Sequence, residues 1–289
     1  MRKPLFVLFC VLLSFAFGNL QNDKKHLEVF FKHLCKNTSA GFVIFGSKPI
    51  FEMGYKSFEE DFPPGTYFHQ MGTFIRNGMR ALEKNPSFCK KIILKRLPSN
   101  KNGWHTLIIV NKRNLAKVFQ ENATIFKSIL GKTTTFSSLL KTFKNGDQPL
   151  EEIVKGNKLL LGILFGYEVN NSKIVSRVET IDEYLTKKNQ YSIFPNKEYK
   201  TAQFFKLNVP KKLSPSSNFI SFEEERTFLK KQYKITIPEF RLKKPNIPWF
   251  GYIPNKTSKK LIFKYLLERQ KIISLLTDDN FIDQVIQCL

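Results

Sequence analysis

The side chains best suited to chemistry are few and scattered. There are four histidines, His26, His33, His69 and His105. His26 and His33 are seven apart, which puts them on one helix face about two turns apart, too far to share a metal ion. They read as solvated helix residues. Cys35 beside a histidine would make a nucleophile and its base. Only the fold can bring His69 or His105 to it, and a thiol in apolar surroundings packs as a small hydrophobic group. Glu59-Glu60-Asp61 is an acidic cluster in a basic chain. It has the chemistry to hold a cation or move a proton, and it reads as a solvated loop. Gly46-Ser47-Lys48-Pro49 lacks the glycine spacing and following helix of a phosphate-binding loop, and Pro49 removes a backbone donor. It reads as a turn with a rigid exit. Gly-x-Ser-x-Gly, His-Glu-x-x-His and dinucleotide fingerprints are absent. No catalytic residue, metal ligand or cofactor is assigned.

The most suggestive stretch runs Arg241-Leu-Lys-Lys-Pro-Asn-Ile-Pro-Trp-Phe-Gly-Tyr252. Cations interleaved with aromatics hold sugars, lipid headgroups or single strands in many proteins. With the lysines that follow, it defines a candidate surface for an anionic partner: Arg241, Lys243, Lys244, Trp249, Tyr252, Lys259 and Lys260. The competing reading is a proline-rich connection whose aromatics cover the edge of a core. The charge of the whole chain, +23, favours polyanions. Abundant Lys, Asn, Phe and Ile also match the bias of an AT-rich genome, so charge alone assigns no function.

The N-terminus reads as an export signal. Arg2 and Lys3 precede an apolar run over residues 5–17, and Ala16-Phe17-Gly18 places small residues where a signal peptidase reads. Cleavage is expected after Gly18. The run is short for a membrane anchor. Export disfavours specific nucleic acid as a partner. The chain after Gly18 keeps Cys35, Cys89 and Cys288, an odd number, so at most one internal disulfide can form.

Helical spacing of Leu27, Phe30, Phe31 and Leu34 predicts a helix over 23–36, and Phe74, Ile75, Met79 and Leu82 predict another over 69–84. Gly72 and Gly78 weaken the second. Gly41-Phe-Val-Ile-Phe45 reads as a short buried strand. Residues 92–97 and 104–110, joined by the turn formers of 98–103, predict a hairpin. Together these give a three-stranded sheet with helices over one face. From Arg113 to about Lys188 the pattern is a helical bundle. Its hub is expected at 150–167, where 159–165 is apolar on every side. Gly162 and Gly166, four apart, would share a helix face and admit a close neighbour, at about 1 kcal/mol each. Residues 189–254 hold seven prolines and one helix, opened by a capping box at Ser221-Phe-Glu-Glu224. Over 189–260 the local charge is +10. An amphipathic helix over 257–276 is predicted to bury Ile262, Tyr265, Leu266, Ile273 and Leu276. It would expose Lys260, Lys264 and Lys271, with Glu268 in reach of the last two. A short helix over 280–287 follows.

Three stretches resemble an uncharacterised group of proteins from chlamydia-related intracellular bacteria. They are Gly41-Phe-Val-Ile-Phe-Gly-Ser-Lys-Pro49, Leu159-Leu-Leu-Gly-Ile-Leu-Phe-Gly-Tyr167 and the terminal helix around Lys264-Tyr265. The family pattern continues from the second stretch with another glycine and an Asn-Ala pair, where this chain has Glu168-Val169-Asn170-Asn171-Ser172. The group has no assigned activity. The resemblance implies an exported bacterial protein and transfers no site residue.

The expected fold class is α+β: a mostly helical single domain over 19–289, with a small antiparallel sheet near the N-terminus. A subdivision into 19–188 and 189–289 is compatible with the proline content. The expected function is non-enzymatic interaction through an electropositive surface, in the envelope or outside the cell. Anionic lipid, polysaccharide and acidic protein surfaces are the partner classes that fit. The alternative is a hydrolase using Cys35 or a carboxylate.

Overall fold

The structure, a computed structural model, describes residues 21–56, 66–98, 103–189, 214–232, 234–235, 245, 247–248 and 251–289. The expected signal segment, Glu59-Glu60-Asp61, and Arg241, Lys243, Lys244 and Trp249 lie outside the described residues. The fold is α+β and mostly helical, with a three-stranded antiparallel sheet near the N-terminus.

The sheet is built from β1 (Ile50–Lys56), β2 (Ile92–Leu97) and β3 (Trp104–Asn111), in the order β1-β3-β2. The hairpin falls where turn chemistry and β-branched runs placed it. The third strand does not. Residues 41–44 form the short helix α2 (Gly41–Ile44), and the strand begins at Ile50. The reason is local. A short run that is apolar throughout has no period to separate strand from helix. Here Ile44 N–H and Phe45 N–H bond back to the Ala40 and Gly41 carbonyls.

Helices were expected over one face of the sheet, but both faces are covered. Ile50, Val110 and Ile93 form one cross-strand row, and Phe51, Ile109 and Leu94 form the next. The first row joins one apolar cluster and the second row joins another. The continuous run Leu107-Ile-Ile-Val110 is the signature of a strand buried on both sides.

One cluster gathers α1 (residues 21–37), α3 (Tyr67–Lys84), α11 (Lys256–Leu276) and α12 (Phe281–Cys288). The other gathers α4 (Lys112–Glu121), α5 (Ala123–Leu130), α6 (Phe136–Asn145), α7 (Leu150–Ile153) and α8 (Lys158–Leu164). Helices α9 (Val169–Asn189) and α10 (Phe222–Gln232) lie between α8 and α11 in sequence. A two-residue ladder pairs β4 (Lys234–Ile235) with β5 (Gly251–Tyr252).

The predicted hub is two helices rather than one. Between α7 and α8 the backbone turns left-handed at Lys155 (φ 53°) and Gly156 (φ 69°), and Asn157 caps the new helix by accepting from Leu160 N–H at 2.9 Å. Leu160, Ile163 and Leu164 are buried as expected, while Leu159 and Leu161 are half-covered. Gly162 does admit a neighbour: an added Cβ would lie 2.7 Å from Ser172 Oγ on α9. Gly166 is outside the helix. At φ 84° it ends α8, with Gly166 N–H on the Ile163 carbonyl and Tyr167 N–H on the Gly162 carbonyl.

Gly78 has a different role. A Cβ there would lie 2.3 Å from Cγ of the fully buried Phe30, so α3 crosses α1 at backbone distance. Gly78→Ala gains roughly 1 kcal/mol of helix propensity but forces the ring to move, which costs about 1–3 kcal/mol. Urea unfolding is expected to show a net loss of stability. A gain of about 1 kcal/mol would show that the two helices do not approach so closely.

Candidate functional site

Of the seven residues of the predicted anionic-partner surface, three fall within the described residues. Tyr252 is half-buried in β5, and Lys259 and Lys260 are exposed in the first turns of α11. The structure sets these two lysines among others. Successive residues turn by about 100° around a helix, so Lys256, Lys259, Lys260, Lys264 and Lys271 share one broad side with Phe263 and Leu267. All seven side chains are exposed, Phe263 by 62% and Leu267 by 51%. None of the five lysines forms an ion pair with another residue among those described. Pro254, Asn255, Lys256, Lys259, Lys260 and Phe263 line an open depression of about 560 Å³ at the start of the helix.

The opposite side of α11 is core. Ser258, Tyr265 and Ile272 are buried. Ile273, predicted to point inward, is 40% exposed, and its neighbour Ile272 is fully buried in its place. The error has a physical cause: Phe263 and Leu267 put apolar residues on the outer side as well, which blurs the stripe. Glu268 does not pair with Lys264 or Lys271. Its carboxylate turns inward to Gly46, where an added Cβ would meet Oε2 at 2.5 Å. The only acidic residue of the helix is thereby withdrawn from the basic side. Phe263, Leu267 and Lys256 were not among the predicted site residues. The signal was in the sequence, as lysines and two large apolar residues recurring at three- and four-residue spacing.

The start of the helix is fixed by α9. Asn255 caps it by accepting from Ser258 N–H at 2.8 Å. Buried Asn171 donates to Ser258 Oγ at 3.1 Å and accepts from Ile253 N–H at 2.8 Å. These bonds set the direction in which the lysine side faces.

Other candidates are occupied by structure. Cys35 is fully buried and burial pushes its thiol up, the reverse of what a nucleophile needs. The His33 ring lies tilted at 58° against Phe74, and the His105 ring stacks on Tyr55 with Nδ1 3.3 Å from the Leu97 carbonyl oxygen. Cys35, Cys89 and Cys288 are unpaired. No group of three His, Cys, Asp or Glu among the described residues is placed to hold a metal. Lys48 is 3% exposed. Burial pushes it down to about 7, while its ammonium donates to the Phe165 carbonyl at 2.8 Å and lies 4.8 Å from the Phe165 ring centre. Its turn therefore binds the protein's own backbone.

A cavity of about 390 Å³ lies along α8 and α9, walled by Leu161, Phe165, Tyr167, Val175 and Val178. Its charges are already matched: Lys158 with Glu179 and Glu183, Asp182 with Arg226 and Lys230. Among the described residues no unpaired charge is left to select a ligand there.

The comparisons give no outside guide: the chain matches no protein-family model, no curated protein and no solved structure. The family resemblance stays a sequence expectation, and the site is read from its own chemistry.

Helix α10 shows the contrast with the lysine side, because its central charge is fully paired. Glu225 is 1% exposed and accepts from Arg177 Nε and Nη2 on α9, both at 2.8 Å, and from Ser216 N–H at 3.1 Å. The Arg177 fork is the leading cause holding this carboxyl down to about 2, and it outweighs the opposing effect of burial. In the unfolded chain the group returns to about 4.5. Its contribution is therefore complete above about pH 4.5 and is lost as pH falls through about 2. The stability gap between the wild type and Glu225→Gln, measured by urea unfolding, is expected to shrink from pH 6 to pH 2. A gap that does not change with pH would contradict the pairing.

Proposed function

We propose that this chain is a non-enzymatic exported protein that binds a polyanionic partner through the outer side of α11. The observation that carries this is the set of five exposed lysines with no counter-ion among the described residues, on a helix whose one carboxylate faces inward. A protein normally balances such a row with i,i+4 acids, as this chain does for Lys32 with Glu28 and Lys117 with Glu121. Leaving it unbalanced costs self-repulsion and concentrates positive potential at one place, which draws in anions. The N-terminal export pattern supports a partner in the envelope or outside the cell. The buried thiol of Cys35 and the absence of a catalytic motif weigh against the hydrolase alternative.

The test uses a soluble polyanion. The wild type is expected to bind heparin at low salt, and to lose roughly tenfold or more of that affinity at physiological salt, because exposed charges are screened. Lys256→Glu with Lys259→Glu and Lys260→Glu is expected to abolish binding without lowering the thermal midpoint. No heparin binding at low salt, or unchanged binding by the triple variant, would contradict the proposal.

A further inference from the structure

We infer that the partner of the lysine side of α11 is the surface of an anionic lipid bilayer. This inference rests on the polyanion reading above and narrows it. The deciding observation is apolar. Phe263 and Leu267 are four residues apart, so they stand one above the other on the helix, in the middle of the lysines. A soluble polyanion or a sugar chain would satisfy the lysines and leave these two side chains in water. A bilayer satisfies both, with phosphates at the level of the ammonium groups and acyl chains just below them. Helices that lie in a membrane interface carry this arrangement, with the apolar residues entering about 5–10 Å and lysines along the flanks. Each lysine near an anionic leaflet adds attraction, and long lysine stems let the charge stay at headgroup level while the backbone sinks.

The geometry fits a helix lying flat. At 21 residues α11 is about 30 Å long, and its inner side is fixed to the protein through Tyr265 and Ile272. It therefore cannot leave the fold to cross the bilayer. No helix among the described residues is long and apolar enough to span one. Among the described residues of this helix the outer side is the one exposed for contact, so the protein would rest on the membrane by one edge.

The experiment sediments the full chain with vesicles of phosphatidylcholine alone and with vesicles in which roughly a third of the lipid is phosphatidylglycerol. Heparin affinity is measured beside it. The wild type is expected to bind the anionic vesicles only. Phe263→Ser with Leu267→Ser is expected to lose about tenfold of vesicle binding while keeping its heparin affinity and thermal midpoint, because both side chains are exposed. If the double variant binds vesicles as well as the wild type, the bilayer inference is wrong. Heparin binding by the wild type without vesicle binding would overturn it too, and leave the polyanion reading standing. Binding to neither would overturn both.

Discussion

The structure depends on how the turn over residues 41–49 is buried. Elements of both apolar clusters reach it. An added Cβ on Gly41 would meet Ile272 of α11 at 3.3 Å and Cys35 of α1 at 3.4 Å, so three segments meet there at near-backbone distance. The Phe42 ring stands edge-on to Tyr265 at 5.6 Å. Its backbone polar groups, which burial would otherwise leave unpaired at high cost, are taken up from the other side. Asn111 Nδ2 donates to the Val43 carbonyl and Asn114 Nδ2 to the Gly46 carbonyl, and the turn's own Lys48 Nζ reaches out to the Phe165 carbonyl at the end of α8. Pro49 packs on Gly166 and leads directly into β1. This turn joins the two halves of the core at one end of the sheet that lies between them, while the buried Leu160 and Leu164 of α8 organise the second half.

The rest of the architecture follows from that joint. The sheet is thin and buried on both faces, so each strand residue is committed by parity to one apolar cluster or the other. Glu52 shows how firm that commitment is. It lies on the side of Ile50 and is half-buried, yet its carboxylate is used by the Leu150 N–H at the start of α7. Helix α11 is held by the joint through its inner side and by Asn171 at its first turn. Its outer side is therefore presented in a fixed direction, and the five lysines act as a surface rather than as loose side chains. Two-sidedness sets this helix apart. One side has the aromatic and aliphatic contacts of a core, and the other carries unmatched charge around two exposed apolar groups.

Sequence reasoning worked where a period was present. Leu27, Phe30, Phe31 and Leu34 repeat as a helix and are buried as one; β2 and β3 have a turn-rich loop between two β-branched runs, and their pairing follows. It failed where every residue is apolar, since burial on all sides erases the period. That is why 41–45 reads as a strand; 150–167 reads as one helix for another reason, because the left-handed turn at Lys155 and Gly156 was not recognised as a helix end. One period was passed over: in β1, Phe51, Met53 and Tyr55 alternate with Glu52, Gly54 and Lys56, which is the spacing of a strand, although Gly54 has no side chain of its own. Trp104 covers it from β3 instead. For the candidate site, Lys259 and Lys260 were legible as part of a basic run, whereas the inward turn of Glu268 was not. From sequence, Lys264 and Lys271 flank that carboxylate at pairing distance. Only packing against Gly46 explains why they stay unpaired.

The central claim is that one buried turn couples the two apolar clusters. Hydrogen–deuterium exchange under native conditions measures this directly, with Phe42→Ala as the perturbation. Phe42 belongs to the cluster of α1, α3 and α11, and its truncation is expected to cost about 3–5 kcal/mol. If the turn joins the clusters, the amides of α8, in the other cluster, lose protection by the same free energy as those of α11. Loss confined to α1, α3, α11 and α12, with α8 unchanged, would show that the two halves hold together independently and that the joint does not carry the fold.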